Sequence, residues 1–75
     1  MKRYPTISLK KTGANISRLM EENNITVKNL QDEFHFEYPQ AIYKWKRGES
    51  IPSIDNLIVL AVLFKTTIDK IIVID

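Results

Sequence analysis

The sequence contains no cysteine, one histidine (His35) and two glycines. Without cysteine there is no disulfide and no thiolate nucleophile, and a cytoplasmic location fits that composition. A zinc site would have to rest almost entirely on carboxylates, so we expect no metal. Two glycines do not make a glycine-rich phosphate loop. We therefore expect no cofactor.

Long apolar runs are also missing. The longest, residues 57–64 (LIVLAVLF), is far shorter than the ~20 residues that cross a bilayer. No apolar run follows the basic residues at the N-terminus, so we expect no signal peptide. A chain of 75 residues without repeats indicates one domain over residues 1–75, near the lower size limit for an autonomous core.

Charge is unevenly distributed along the chain, although the net charge is only +2. Residues 1–20 carry five cations and no acid, residues 21–39 carry one cation and five acids, and residues 40–48 carry three cations and no acid. This pattern could place a positive face against an anion, or it could be ordinary solvated charge.

Capping residues and apolar spacing predict five helices and no sheet. The five predicted helices cover approximately residues 8–24, 26–35, 39–47, 53–64 and 67–73. Ser8 and Thr12 are alternative caps for the first helix, and His35 follows the second helix at a place that suits a left-handed backbone. The fourth helix is apolar almost all round, which predicts a position in the middle of the domain.

The third predicted helix has two distinct faces. Ile42 and Trp45, at i and i+3, point inward, and Gly48 ends the helix. The outward residues are Gln40, Tyr43, Lys44 and Arg47, with Ala41 and Lys46 at the margins.

The second and third helices, joined by a tight turn, have the layout of a helix-turn-helix. The segments NITVKNLQDEF, QAIYKWKRGESIPSIDNLIVLAVLF and TIDKII resemble the Cro-like, phage-repressor type of this domain (the xenobiotic-response-element family). The resemblance covers roughly residues 13–73 and implies an all-α, five-helix bundle of the lambda-repressor-like type. Two departures are His35 and Lys65, where the family usually has glycine, and a third is a turn about one residue longer than usual.

Enzyme chemistry has little support in the sequence. A nucleophile needs an activating base nearby. The hydroxyls at four positions are instead explained as helix caps: Ser8, Thr26, Ser53 and Thr67. The paired carboxylates Glu21-Glu22 and Asp32-Glu33 are sequence neighbours, which a helix turns to different sides. We expect no catalytic activity.

The resemblance implies binding to double-stranded DNA through the third helix. Gln40 and Lys44 occupy base-contacting positions, and their chemistry suits adenine and guanine respectively. The candidate base contacts are Gln40, Ala41, Tyr43 and Lys44, and the candidate phosphate contacts are Thr26, Lys28, Tyr38, Lys46 and Arg47. For each lysine taken singly, a solvated surface charge is the alternative. Residues 1–7 are either a flexible basic arm along the DNA or a tail without that role.

The C-terminus carries more apolar residues than one face of a short helix can bury. Ile71, Ile72, Val73 and Ile74 are therefore a candidate dimer surface, and their alternative role is to close the monomer core. Two-fold pairing would place the reading helices ~34 Å apart on a palindrome.

These observations favour a stand-alone transcriptional regulator, in particular a repressor. The alternative is a protein-interaction module on the same fold, such as an antitoxin or an anti-repressor partner. The acidic block formed by Glu21, Glu22, Asp32, Glu33 and Glu37 keeps that alternative open, because acids near the reading helix weaken phosphate attraction.

Overall fold

A computed structural model describes residues 4–75, and these residues fold into five helices. The helices are α1 (Leu9–Glu22), α2 (Val27–Phe34), α3 (Gln40–Arg47), α4 (Ile54–Leu63) and α5 (Ile68–Ile71). The only β-type pairing within residues 4–75 is an isolated antiparallel bridge between Ile7 and Ile74. The all-α prediction is confirmed. Among these same residues, no helix combines the length and the apolar content needed to cross a bilayer.

Side-chain caps start three of the helices, whereas the predicted cap Thr67 precedes α5 but makes no capping hydrogen bond with its side chain. Ser8 accepts a hydrogen bond from the Lys11 amide (3.2 Å), so α1 begins at the earlier of its two alternative caps. Ser53 accepts one from the Asn56 amide (3.3 Å) at the start of α4. Each bond satisfies an amide at the first turn that has no partner within the helix.

Thr26 starts α2 with a reciprocal pair of bonds. Its hydroxyl accepts from the Asn29 amide (3.0 Å), and the Asn29 side chain accepts from the Thr26 amide (2.8 Å). This capping box fixes the first turn of the helix-turn-helix.

Non-glycine residues with positive backbone φ angles follow three helices, and Asn24 has φ 55° after α1. His35 has φ 57° after α2, and Lys65 has φ 56° after α4. His35 and Lys65 occupy the two positions where the resembled family usually has glycine, so this chain keeps the left-handed geometry there with residues that adopt it less easily.

The core consists of ten buried apolar residues drawn from all five helices and from Phe64, which ends α4: Ile16, Leu19, Met20, Leu30, Ile42, Trp45, Leu57, Leu60, Phe64 and Ile71. α1 runs against α3 and also contacts α5. α3 is thereby held from behind by the longest helix of the domain.

The prediction that α4 lies in the middle of the domain is wrong. Its inner face is buried, but Ile54, Ile58 and Val62 on the other face are 67%, 51% and 73% exposed. Apolar composition alone did not reveal this, because the other elements are too few to surround a fourth helix on every side.

The two ends of the described chain pair with each other. The Ser8 amide donates to the Val73 carbonyl (2.8 Å), and the Asp75 amide donates to the Thr6 carbonyl (2.9 Å). Ile72 consequently adopts an extended backbone, and α5 ends at Ile71, two residues before the predicted end. Thr6 and Ile7, within the candidate arm, thus belong to this pairing, whereas residues 1–3 of that arm lie outside the described residues.

Candidate nucleic-acid interface

The turn between α2 and α3 is closed by backbone and side-chain hydrogen bonds. The amides of His35 and Phe36 donate to the carbonyls of Asp32 (3.2 Å) and Gln31 (3.0 Å). The Gln31 side chain in turn donates to the Glu37 carbonyl (3.1 Å). These bonds set the direction in which the chain enters α3.

Three aromatic rings pack α2 and the turn against α3. Phe34 and Phe36 stack on each other with centroids 5.2 Å apart, and each presents an edge-to-face contact to Trp45 (5.7 and 6.0 Å). Trp45 is 4% exposed, in agreement with its predicted inward position. The contribution of Phe36 was missed, because no periodic pattern places a turn residue in the core.

α1 approaches α3 at Gly13 more closely than any larger residue allows. A Cβ atom built on Gly13 would lie 2.4 Å from the Trp45 carbonyl oxygen and 2.8 Å from that of Lys46. The C-terminal half of α3 therefore rests directly on the backbone of α1.

Gly48 ends α3 as predicted. It has φ 75°, and its amide donates to the Trp45 carbonyl (3.1 Å), while the Glu49 amide donates to the Lys44 carbonyl (2.9 Å). A Cβ on Gly48 would lie 2.7 Å from the Cα atom of Lys10. The start of α1 therefore lies beside the end of α3.

The outer face of α3 exposes most of the predicted base-contacting residues. Gln40, Tyr43 and Lys44 are exposed, whereas Ala41 is half-buried against the core. Gln40 and Lys44, one turn apart, lie on the same side of the helix. Ile42, on the opposite side, is fully buried.

The predicted phosphate contacts differ in their exposure and in the bonds they already make within the protein. Thr26 and Tyr38 are exposed, and the Thr26 hydroxyl only accepts in its cap, so its own O–H remains available to donate to a phosphate. Lys46 is half-buried. Lys28 is exposed and forms an ion pair with Asp32 at 3.0 Å.

Arg47, the fifth candidate phosphate contact, forms an ion pair with Glu49 across the end of α3. The hydrogen bond from Arg47 lowers the pKa of the Glu49 carboxyl, and the charges of Arg47 and Lys44 act in the same direction. The same hydrogen bond raises the pKa of the Arg47 guanidinium. Both side chains are more than half exposed, so a DNA phosphate can compete with the carboxylate for the guanidinium.

Lys10 is a further cation, beside the C-terminal end of α3, that the predicted contacts did not include. It is exposed, its backbone touches Gly48, and it makes no ion pair within residues 4–75. The cluster of basic residues near the N-terminus was the available signal, but only the packing of α1 on α3 shows which of them lies beside Gly48 at the end of α3.

The four residues of the candidate dimer surface do not share one environment. Ile71 is fully buried in the monomer core, Ile72 and Val73 are half-buried, and Ile74 is 57% exposed. Of the four, Ile74 offers the most surface to a partner.

Metal-ligating side chains are scattered in the part of the chain that the structure describes. No group of three or more histidine, cysteine, aspartate or glutamate residues there could hold a metal ion.

A family model described as helix-turn-helix matches residues 16–71, which run from the middle of α1 to the end of α5. No curated protein and no solved structure matches the chain.

Proposed function

Because the chain belongs to the helix-turn-helix family, in its DNA-binding Cro/C1 type, we propose that it reads a specific duplex sequence with α3 and regulates transcription. α3 enters the major groove, and the bound protein blocks a promoter, so that it acts as a repressor. Docking of a second helix in the major groove is the geometry by which helix-turn-helix domains read sequence.

The single observation that carries this proposal is the division of α3 into two faces. Ile42 and Trp45 are buried, which fixes the helix, while Gln40 and Lys44 are exposed one turn apart. The Gln40 amide can bond both N6 and N7 of adenine, and the Lys44 ammonium can donate to O6 and N7 of guanine. A rigid helix with polar groups on its free side has the form that base reading requires.

Phosphate contacts around this helix orient it on the duplex. Arg47 and Lys10 lie at one end of α3, and Tyr38 lies in the turn before it. Thr26 stands at the N-terminus of α2, where backbone amides and the helix dipole favour an anion. Contacts of this kind supply affinity and register but carry little sequence information.

The test begins with selection of a preferred duplex from a random pool, followed by anisotropy titrations at several salt concentrations. We expect the logarithm of affinity to fall linearly with the logarithm of salt. Lys44→Ala should relax preference at one base position by about 1–3 kcal/mol, whereas Arg47→Ala should weaken all duplexes alike and reduce the salt slope by about 1.

Lys70→Ala is the matched control, because Lys70 is an exposed lysine on α5 rather than on the reading helix. Its effect on sequence preference should be absent. Failure of the wild-type protein to bind any duplex at low salt would overturn the proposal and leave the protein-interaction alternative.

A further inference from the structure

The segment between α2 and α3 changes character after Phe36. Up to that residue the backbone is bonded, because the amides of His35 and Phe36 donate to carbonyls of α2. Beyond it, Glu37 and Tyr38 form no hydrogen bond with the backbone of any residue among 4–75. Both residues are exposed and lie in a bend. The second half of the turn, which leads into α3, therefore has no backbone hydrogen bond that fixes its path.

The first turn of α3 has no cap that would replace those bonds. Pro39 precedes the helix, lacks an amide proton and makes no side-chain capping bond. Gln40 follows it directly and is exposed. One side-chain hydrogen bond, from Nε2 of Gln31 to the Glu37 carbonyl oxygen (3.1 Å), joins this part of the turn to α2. We call this bond the Gln31 tether.

The C-terminal half of α3 is supported in a different way. Trp45 is buried, the backbone of α1 approaches it at Gly13, and Gly48 ends the helix beside α1. Lys44 precedes Trp45 in this half. The two main residues proposed to contact bases thus depend on different supports, since Lys44 follows the close packing on α1 and Gln40 follows the turn.

We propose that Gln31 is a positioning residue for DNA reading: the Gln31 tether sets where Gln40 lies in the major groove and thereby the preference at one base pair. This inference rests on the proposed function and adds to it a residue of α2 that itself contacts no base. A glutamine bonds adenine through two hydrogen bonds to one base edge, and both depend on distance and angle. A small displacement of the first turn of α3 therefore weakens the Gln40 contact and leaves the Lys44 contact in place.

The exposure of the Gln31 tether separates this role from the stability of the fold. Gln31 is half-buried, whereas its neighbour Leu30 is fully buried and packs α2 into the core. One ordinary hydrogen bond changes an equilibrium by about two- to tenfold. The same factor limits how strongly the tether can favour the reading position of Gln40.

The test compares wild type with Gln31→Met, which keeps the length of the side chain and removes its N–H donor. Three duplexes are needed: the selected site, and two variants exchanged at the base pairs that Gln40→Ala and Lys44→Ala assign to those residues. In Gln31→Met, discrimination at the Gln40 base pair should fall about two- to tenfold, and discrimination at the Lys44 base pair should not change. A general structural defect would instead weaken all three duplexes by one factor. Equal loss at both positions, or no loss at either, would overturn the proposal.

A double-variant cycle tests whether Gln31 acts through Gln40. In the Gln40→Ala background, Gln31→Met should have no further effect on that base pair, because the contact that it positions is gone. Additive losses would contradict the proposal.

Glu33→Met is the matched control. Glu33 is an exposed polar residue of α2 that makes no side-chain bond to the turn within residues 4–75, and it receives the same new side chain. Removal of its charge should act on all duplexes alike and leave both base preferences unchanged. A loss of discrimination equal to that of Gln31→Met would refute the specific role of the tether.

The DNA-free protein gives a second measurement, which separates this inference from DNA binding. Gln31→Met should move the backbone amide NMR signals of residues 36–41, while those of residues 45–48 stay in place. Unchanged signals at residues 36–41 would overturn the inference even if the protein binds DNA. A wild-type protein that binds no duplex, with turn signals that move as expected, would contradict the proposed function and the DNA role of Gln31 while the tether itself stands.

Discussion

Two of the cations proposed to contact phosphate already have carboxylate neighbours. Lys28 pairs with Asp32 at 3.0 Å, and Arg47 pairs with Glu49. Both pairs are exposed, where an ion pair contributes only about 0–1 kcal/mol, so DNA can displace either carboxylate. The carboxylates nevertheless remain near the phosphates after displacement and oppose binding. At the residue scale, DNA affinity therefore depends on the acids as well as on the bases.

Glu49→Gln should strengthen DNA binding. It removes a negative charge at the end of α3 and leaves the Arg47 guanidinium free for a phosphate, so we expect affinity to rise about two- to tenfold at low salt. Glu33→Gln, an exposed glutamate on α2 outside the described ion pairs, is the control and should have a smaller effect. Weaker binding by Glu49→Gln would show instead that Glu49 positions Arg47.

Moderate acidification of the wild-type protein should not reproduce the rise in DNA affinity expected for Glu49→Gln. Arg47 lowers the pKa of Glu49, so the carboxylate stays charged, and its ion pair is present above the ordinary glutamate pKa. The pair is lost only as the pH falls through the lowered value. The DNA affinities of wild type and of Glu49→Gln should therefore differ by the same factor at every pH from neutral down to the usual pKa of a glutamate.

At the scale of elements, α3 owes its position to three neighbours. α1 contributes its backbone at Gly13, α2 and the turn contribute two aromatic rings, and Gly48 ends the helix beside Lys10. These contacts lie behind α3 or at its C-terminal end. The exposed side chains proposed to contact bases therefore do not contribute to the buried core, and substituting them should change sequence preference without loss of the fold.

Gly13→Ala should destabilise the domain even though alanine favours helix by about 1 kcal/mol. The new Cβ would lie 2.4 Å from the Trp45 carbonyl oxygen, so α1 and α3 must separate. We expect a net loss of about 1–3 kcal/mol in the free energy of unfolding and weaker DNA binding. Urea denaturation gives the first quantity and anisotropy the second.

The neighbouring exposed Ala14 supplies the reference for this variant. Ala14→Gly measures the helix-propensity contribution at a position outside the buried contact with α3. If Gly13→Ala raised the free energy of unfolding by the same amount that Ala14→Gly lowered it, propensity would dominate and the close approach would have no energetic role.

At the scale of the whole molecule, the start of α1 holds the C-terminal segment. The Val73 amide donates to the Thr12 hydroxyl (2.9 Å), and the Asn15 side chain donates to the carbonyls of Lys70 (2.8 Å) and Ile71 (2.9 Å). Thr12 is 1% exposed, so its hydroxyl bonds to the protein rather than to solvent. The two ends of the described chain are joined through one helix, which closes the core over Ile71.

Thr12→Val should lower the free energy of unfolding by about 1–3 kcal/mol, because the Val73 amide loses its acceptor in a partly buried place while the side-chain volume is kept. Thermal and urea unfolding measure the change. Thr67→Val is the control: Thr67 is exposed, makes no capping bond with its side chain and has an extended backbone that valine adopts readily. Equal effects of the two changes would exclude a specific role for the Thr12 hydroxyl.

Patterns within a few residues were sufficient to predict much of this molecule. The caps Ser8, Thr26 and Ser53, the left-handed His35 and the buried Ile42 all agree with the sequence-based expectations. Each depends on interactions within one or two helical turns, which the spacing of residue types records directly. The exposure of Gln40 and Lys44 followed from the same periodicity.

Contacts between distant parts of the chain were not accessible in that way. Gly13 is a contact surface for α3, which no local pattern indicates, and Thr12, an alternative cap in the sequence, is a buried acceptor for the Val73 amide. The apolar fourth helix has an uncovered side. Composition states how much apolar surface a segment has, but which side is covered depends on where the other helices lie, and that is a property of the three-dimensional packing.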